Sequence, residues 1–265
     1  MTLTERDRAV LAFAAEHRLV LQRQIEKLVG AREGMMRDRL RALVGADYLT
    51  SGRVLDEHHF QIRPRGLTAV GSTLPVPRFK LGAYKHDIGL AWLWLVAHRG
   101  SFGPLREVLS ERHLRSHDGA LERSHEPYGV RVGGADRYGS ERLHYPDLLL
   151  IDPHGRRLAL ELELSTKGRE RRELILGGYG ADGRIDRVLY LVEDDRGGHS
   201  IRRALERTVK EMGLSQRVEF QWIKPLSLAG DGRGPRTRTA ANRQPPRNRS
   251  LPTTGRERQT AALAR

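Results

Sequence analysis

Apolar positions recur at helical spacing through the first third of the chain and then switch to a two-residue alternation. Val10, Leu11, Phe13 and Ala14 mark the buried side of a helix from Glu5 to about His17, with Thr4 placed to cap it. A second helix fits Leu21 to Val29 and ends at Gly30. A third covers Glu33 to about Val44, turning Met36, Leu40, Leu43 and Val44 inward and Arg37, Arg39 and Arg41 outward. Tyr48-Leu49-Thr50 and His59-Phe60-Gln61-Ile62 then bracket a polar turn around Gly52 to Glu57, which predicts a two-stranded ribbon. Three helices followed by a ribbon is the order of a winged helix-turn-helix, here over residues 1–75. In that geometry the third helix lies in the major groove of double-stranded DNA, while Arg53, Arg63 or Arg65 approach flanking phosphates. The same order also describes a small interaction domain whose arginines solvate its surface.

Residues 80–226 predict an α/β (α+β) domain. A helix from about Ala83 to His98 carries Ile88, Ala91, Trp92, Leu95 and Val96 at helical spacing, the pattern of a core-facing stripe. A weak strand follows over Glu107 to Arg115, and the polar, glycine-rich stretch Ser116 to Leu143 reads as a long loop. A hairpin comes next, then a basic helix from Lys167 to about Gly177, a strand Arg187 to Val192, a helix Ser200 to Met212 and a strand Val218 to Ile223. An antiparallel hairpin followed by two βα units implies a mixed sheet with helices on both faces.

The hairpin carries the chemistry. Asp152-Pro153-His154-Gly155 suits a type I turn with proline preset in its second position and Gly155 as the left-handed residue of a bulge. If Asp152 and Arg156 close that loop, Asp147 falls directly opposite Glu161. Glu163, two residues on, shares that face. Three carboxylates at one sheet end repel one another unless a cation joins them, and an oxygen-rich site of this kind suits Mg²⁺ or Mn²⁺. Any half-buried amphipathic strand would equally alternate Leu158, Leu160, Leu162 and Leu164 with Ala159, Glu161 and Glu163.

Charge indicates what such a site would meet. The formal net charge is +14, which favours polyanions, nucleic acid first and an anionic membrane second. Only six lysines contribute, and an arginine bias of this size also follows from GC-rich codon usage. Cysteine is absent, which excludes disulfides and thiolate zinc sites. The N-terminal MTLTERDRAV lacks an apolar signal core, and the longest apolar run, Ile88 to Ala97, is half a membrane span. A cytoplasmic protein without membrane association is expected. His113, His117, His125 and His144 lie in polar segments without metal-ligand spacing, and no Walker-type phosphate loop is present. From Ala229 to Arg265 the chain has nine arginines against Asp231 and Glu257, four prolines and no aromatic residue. Such a tail cannot bury enough apolar area to order itself, so it is expected to be disordered. It would add salt-sensitive affinity for DNA or be dispensable.

Pro146-Asp147, thirteen residues, then Glu161-Leu162-Glu163 resembles the PD-(D/E)xK superfamily, the restriction-endonuclease-like fold. More narrowly, a winged helix followed by YPD and then LALELELSTKGRERRE resembles the replication-relaxation family of actinobacterial plasmids and mobile elements, over roughly residues 3–225. The resemblance implies acids on two adjacent strands of a central sheet. It further implies catalytic roles for Asp147, Glu161, Glu163 and Lys167, with the first three as ligands of Mg²⁺ or Mn²⁺. Glu163 stands where the superfamily usually has lysine; Lys167 would return that ammonium or serve as an ordinary helix-end cation. Arg169, Arg171 and Arg172 would hold a DNA strand, and His86-Asp87 matches a place where related folds add an auxiliary acid. Two functions follow from the resemblance: a DNA-binding replication or regulatory protein whose nuclease-like domain is a docking or homodimerisation unit, or a metal-dependent endonuclease or nickase.

Overall fold

Thr4 and Asp7 open the first helix by exchanging bonds. Asp7 N–H donates to Thr4 Oγ1 at 3.2 Å, and Thr4 N–H donates to Asp7 Oδ2 at 2.7 Å, a reciprocal capping box. The computed structural model describes residues 1–54, 57–120, 126–135 and 141–225. The arginine tail, His125 and the tip of the ribbon turn lie outside the described residues. Helix α1 (Glu5–Glu16) leads through strand β1 (Val20–Leu21) to α2 (Gln22–Val29), α3 (Arg37–Gly45), β2 (Leu49–Val54) and β3 (Glu57–Ile62). Gly30 closes α2 in the left-handed conformation (φ 69°), as its position after the last apolar residue predicts. The three strands form a small antiparallel sheet in the order β1-β3-β2. Helix, strand, two helices and a two-stranded ribbon is the element order of residues 1–62, with the three helices and the ribbon in the expected sequence.

Three local differences from the sequence reading have simple causes. Strand β1 has two residues, too few to show an alternation. Helix α3 begins at Arg37 rather than Glu33, because Gly34 adopts φ 81° and the preceding residues form a turn. An unforeseen short helix, α4 (Pro64–Ala69), starts at Pro64, a residue suited to the first helical position where no N–H is needed.

Helix α5 (Tyr84–His98) is apolar all round because it has two cores to serve. Tyr84, Ile88, Ala91, Trp92 and Leu95 pack with the buried residues of α1–α3 and β1–β3. Leu90, Leu93 and Ala97 pack on the larger sheet, against Leu148, Leu150, Leu160, Leu162, Leu189 and Leu191. The remaining elements are β4 (Glu107–Ser110), α6 (Glu111–Ala120), β5 (Val130–Ala135), β6 (Glu141–His144), β7 (Leu148–Ile151), β8 (Arg157–Glu163), α7 (Arg169–Ala181), β9 (Arg187–Glu193), α8 (Arg196–Glu211) and β10 (Val218–Ile223). Five of the strands form one mixed sheet in the order β10-β9-β8-β7-β4, with β8, β9 and β10 parallel and β7 antiparallel to both neighbours. Its second face packs Leu149, Ile151, Ala159 and Val188 against Ile175, Leu176 and Tyr179 of α7 and Ile201, Leu205 and Val209 of α8. The fold is therefore mixed α+β, as expected.

The strand expected over Glu107 to Arg115 stops at Ser110, whose hydroxyl accepts the His113 N–H at 3.1 Å and so caps α6. The stretch expected as a loop from Ser116 to Leu143 instead contains the end of α6 and the hairpin β5–β6. Its exposed residues and its left-handed Gly133 and Gly134 hide strands that bury little beyond Val130. The β7–β8 hairpin forms in the expected register. Gly155 N–H donates to Asp152 O and Asp152 N–H to Arg156 O, both at 3.0 Å, and Gly155 has φ 83°. Among the described residues, no helix is long and apolar enough to cross a membrane.

Candidate functional site

The last pair of the hairpin ladder, Leu148 with Leu160, leaves Asp147 next in line opposite Glu161. Asp147 enters β7 at the edge where parallel strands β8 and β9 end, which is where ligands bind in open α/β sheets. Glu161 and Glu163 are 4% and 3% exposed, so their charges need partners.

Each carboxylate receives its partners on one oxygen. Asp147 Oδ2 accepts the Leu162 N–H at 2.8 Å and lies 3.2 Å from His86 Nε2. Glu161 Oε1 lies 2.7 Å from His144 Nε2 and accepts the buried Tyr179 hydroxyl. Glu163 Oε2 pairs with Lys167 Nζ. None of these donors touches Asp147 Oδ1, Glu161 Oε2 or Glu163 Oε1. The repulsion expected among the three acids is thus countered by groups of the protein itself.

Burial would raise the Asp147 carboxyl, but the His86 charge, its hydrogen bond, the Leu162 N–H and Lys167 together hold it below the usual range. His86 responds in the opposite sense. Burial disfavours its charge, yet Asp147 lifts it to about 9, so the pair is imidazolium and carboxylate at neutral pH. Glu163 is pushed up, first by burial and then by Glu161 and Asp147, with Lys167 opposing. Burial followed by the Glu161 charge drives the Tyr179 hydroxyl well above its usual value, which keeps it a proton donor.

Among the described residues no three His, Asp or Glu side chains are grouped as a ready-made ligand set. This is compatible with Mg²⁺, which keeps several waters and takes one or two carboxylates plus substrate phosphate oxygens. Asp147 Oδ1 and Glu161 Oε2 are oxygen donors suited to such a two-carboxylate set.

Of the His86–Asp87 pair, the histidine reaches the acids. Asp87 turns away to Arg18 at 3.1 Å, and Arg18 also holds Glu111 at 2.9 Å. His144, grouped by sequence with histidines lacking any ligand spacing, contacts Glu161 because β6 folds back beside the sheet. Nothing in its linear neighbourhood signals this. Tyr179 is likewise missed by the sequence: the basic helix is expected to end at about Gly177, whereas α7 runs to Ala181 and lays Tyr179 on the sheet.

The arginines expected at DNA divide. Arg37 and Arg171 are exposed and have no ion-pair partner among the described residues. Arg39, expected outward, turns inward onto the buried Asp7. Arg41 pairs with Asp38 at 2.6 Å and Arg63 with Asp47 at 2.8 Å. Arg65 lies over the Tyr48 ring and donates to Ala46 O. Arg53 is exposed on β2. Arg169 pairs with Glu173 and Glu211, and Arg172 donates to Lys167 O at 2.6 Å, bracing the segment that carries the Glu163–Lys167 pair. Comparison of the chain with protein-family models, with curated proteins and with solved structures gives no match.

Proposed function

We propose that this is a cytoplasmic duplex-DNA-binding protein of replication-relaxation type. It would act in plasmid or mobile-element replication, relaxation or regulation through a winged helix and a nuclease-like domain. The observation that carries the reading is the position of Arg37. It stands exposed at the first turn of α3, ahead of the β2–β3 ribbon, without an ion-pair partner among the described residues. That is where a recognition helix presents its first residues to the groove. The net charge of +14 supports a polyanionic partner.

Binding of a labelled duplex by the full chain, titrated with salt, tests it. Each phosphate contact should contribute about 0.9 to the fall of log K with log salt. Binding that is weak and indifferent to salt would refute the reading.

A second reading, a Mg²⁺-dependent DNA endonuclease or nickase, is favoured by one oxygen each of Asp147 and Glu161, on adjoining strands, that accepts no hydrogen bond among the described residues. These two would hold the ion, which when bound supplies Lewis acidity and a water of lowered pKa. Glu163, whose proton affinity is raised, would accept a proton at the carboxylate oxygen that Lys167 leaves open. Lys167 would hold Glu163 in place. Nicking of supercoiled plasmid in Mg²⁺ or Mn²⁺, abolished in Glu161→Ala, would establish the enzyme. No nicking alongside tight duplex binding would leave the DNA-binding protein alone.

A further inference from the structure

Between α4 and the 3₁₀ turn Leu81–Ala83 that precedes α5, residues 72–80 form neither helix nor strand, yet the segment is pinned along its length. Leu74 is buried with the core residues of α1–α3 and β1–β3. Arg112 of α6 donates to the Pro75 carbonyl at 2.6 Å. Pro77 is buried, and the Phe79 ring stacks on His59 of β3, with centroids 5.3 Å apart and planes 14° from parallel. Tyr84, at the start of α5, meets both rings edge-on. His59 is itself central in the small sheet, paired with Leu21 of β1 and Gly52 of β2.

Pro77 is buried and Phe79, 37% exposed, still stacks on His59, whereas three neighbouring residues lie at the surface. Those are Val76, Arg78 and Lys80, all exposed, with Lys80 in an extended conformation (φ −135°, ψ 115°). Arg78 and Lys80 make no ion pair or side-chain hydrogen bond among the described residues. Residues 72–82 contain no acid. Pro75 and Pro77 stiffen the strap, so holding two cations outward costs less ordering on binding than a free loop would.

We propose that this strap is a phosphate-binding element, in which Arg78 and Lys80 contact the backbone of duplex DNA beside the β2–β3 ribbon. The proposal rests on the duplex-binding reading and adds a site to it. It also accounts for cationic surface that α3 alone does not supply, since Arg39 and Arg41 are held by Asp7 and Asp38. The strap leads directly into the α5 turn bearing Lys85 and His86, so a backbone held there would run from the ribbon towards the acid site.

The test compares three full-length proteins on one mixed-sequence duplex: wild type, Arg78→Gln/Lys80→Gln, and Arg207→Gln/Lys210→Gln. The last removes the same charge from exposed positions of α8. The strap variant should lower the slope of log K against log salt by about 1.8, two contacts' worth, while the α8 variant keeps the wild-type slope. Equal slopes for wild type and strap variant would overturn the strap and leave duplex binding standing. Equal losses in both variants would overturn it too, by showing an effect of net charge alone. A wild type without salt-dependent binding would overturn the strap and the duplex-binding reading together.

Discussion

His86 Nε2 lies 3.2 Å from Asp147 Oδ2, so the first turn of α5 clamps the acid that opens β7. The histidine is raised to about 9 in the fold against 6.5 for an unperturbed imidazole. A raised folded-state value means that His86 contributes stability fully below about pH 6.5, and that this contribution is lost as pH rises through 9. Asp147→Asn removes the partner. The difference in melting temperature between wild type and this variant should therefore be largest below pH 6.5 and shrink between pH 6.5 and 9. A difference independent of pH across that window would disprove the pairing.

Divalent ions should stabilise the fold through Asp147 and Glu161. A ligand that binds only the native state adds about 2.7 kcal/mol at one hundred times its dissociation constant. Mn²⁺ should raise the melting temperature of wild type and leave an Asp147→Asn/Glu161→Gln double variant unmoved. Equal shifts in the two proteins would mean the ion binds elsewhere.

Arg37 and Arg39, two residues apart, should fail differently. Arg39 and Thr4 hold Asp7 at about 2, with the Arg39 hydrogen bond the largest cause. A depressed carboxylate gives stability that is present above its unfolded value of 3.8 and lost as pH falls through 2. Arg39→Gln should lower the melting temperature at neutral pH and flatten the acid limb of the stability curve between pH 4 and 2. Arg37→Gln should leave stability unchanged and weaken duplex binding. If Arg39→Gln melted like wild type and Arg37→Gln bound DNA like wild type, both assignments would be wrong.

Leu93 lies on the face of α5 that meets the large sheet and is fully buried. Leu93→Ala should cost about 2–5 kcal/mol in a denaturant titration, the range for a large-to-small change in a packed core. Leu81, on the turn before the same helix and 67% exposed, should tolerate alanine within about 0.5 kcal/mol. A cost for Leu93→Ala as small as that would mean α5 is not clamped against the sheet.

Sequence alone determined whatever depends on neighbours in the chain. The Thr4 cap, the Gly30 stop and the turn at Asp152–Gly155 are local devices, and the turn sets the hairpin register. That register lays Asp147 opposite Glu161 from local information alone. The strands Arg187–Glu193 and Val218–Ile223 and the helix between them are legible for the same reason, since their apolar period persists over enough residues to be unambiguous.

Tertiary structure decided what depends on contacts between distant segments. His86 stands 61 residues from Asp147, and His144 and Tyr179 stand 17 and 18 residues either side of Glu161. No spacing rule links such positions, because their approach is set by how α5, β6 and α7 pack on the sheet. The fate of Arg39 is of the same kind. Helical period places it on a polar face, but the buried Asp7 carboxylate on α1 lies within reach, and leaving that charge unpaired would cost more than ordering a part-exposed Arg39 beside it. The double-sided burial of α5 is legible as an apolar helix and not as a shared one, because hydrophobicity says that a face is buried without saying against what.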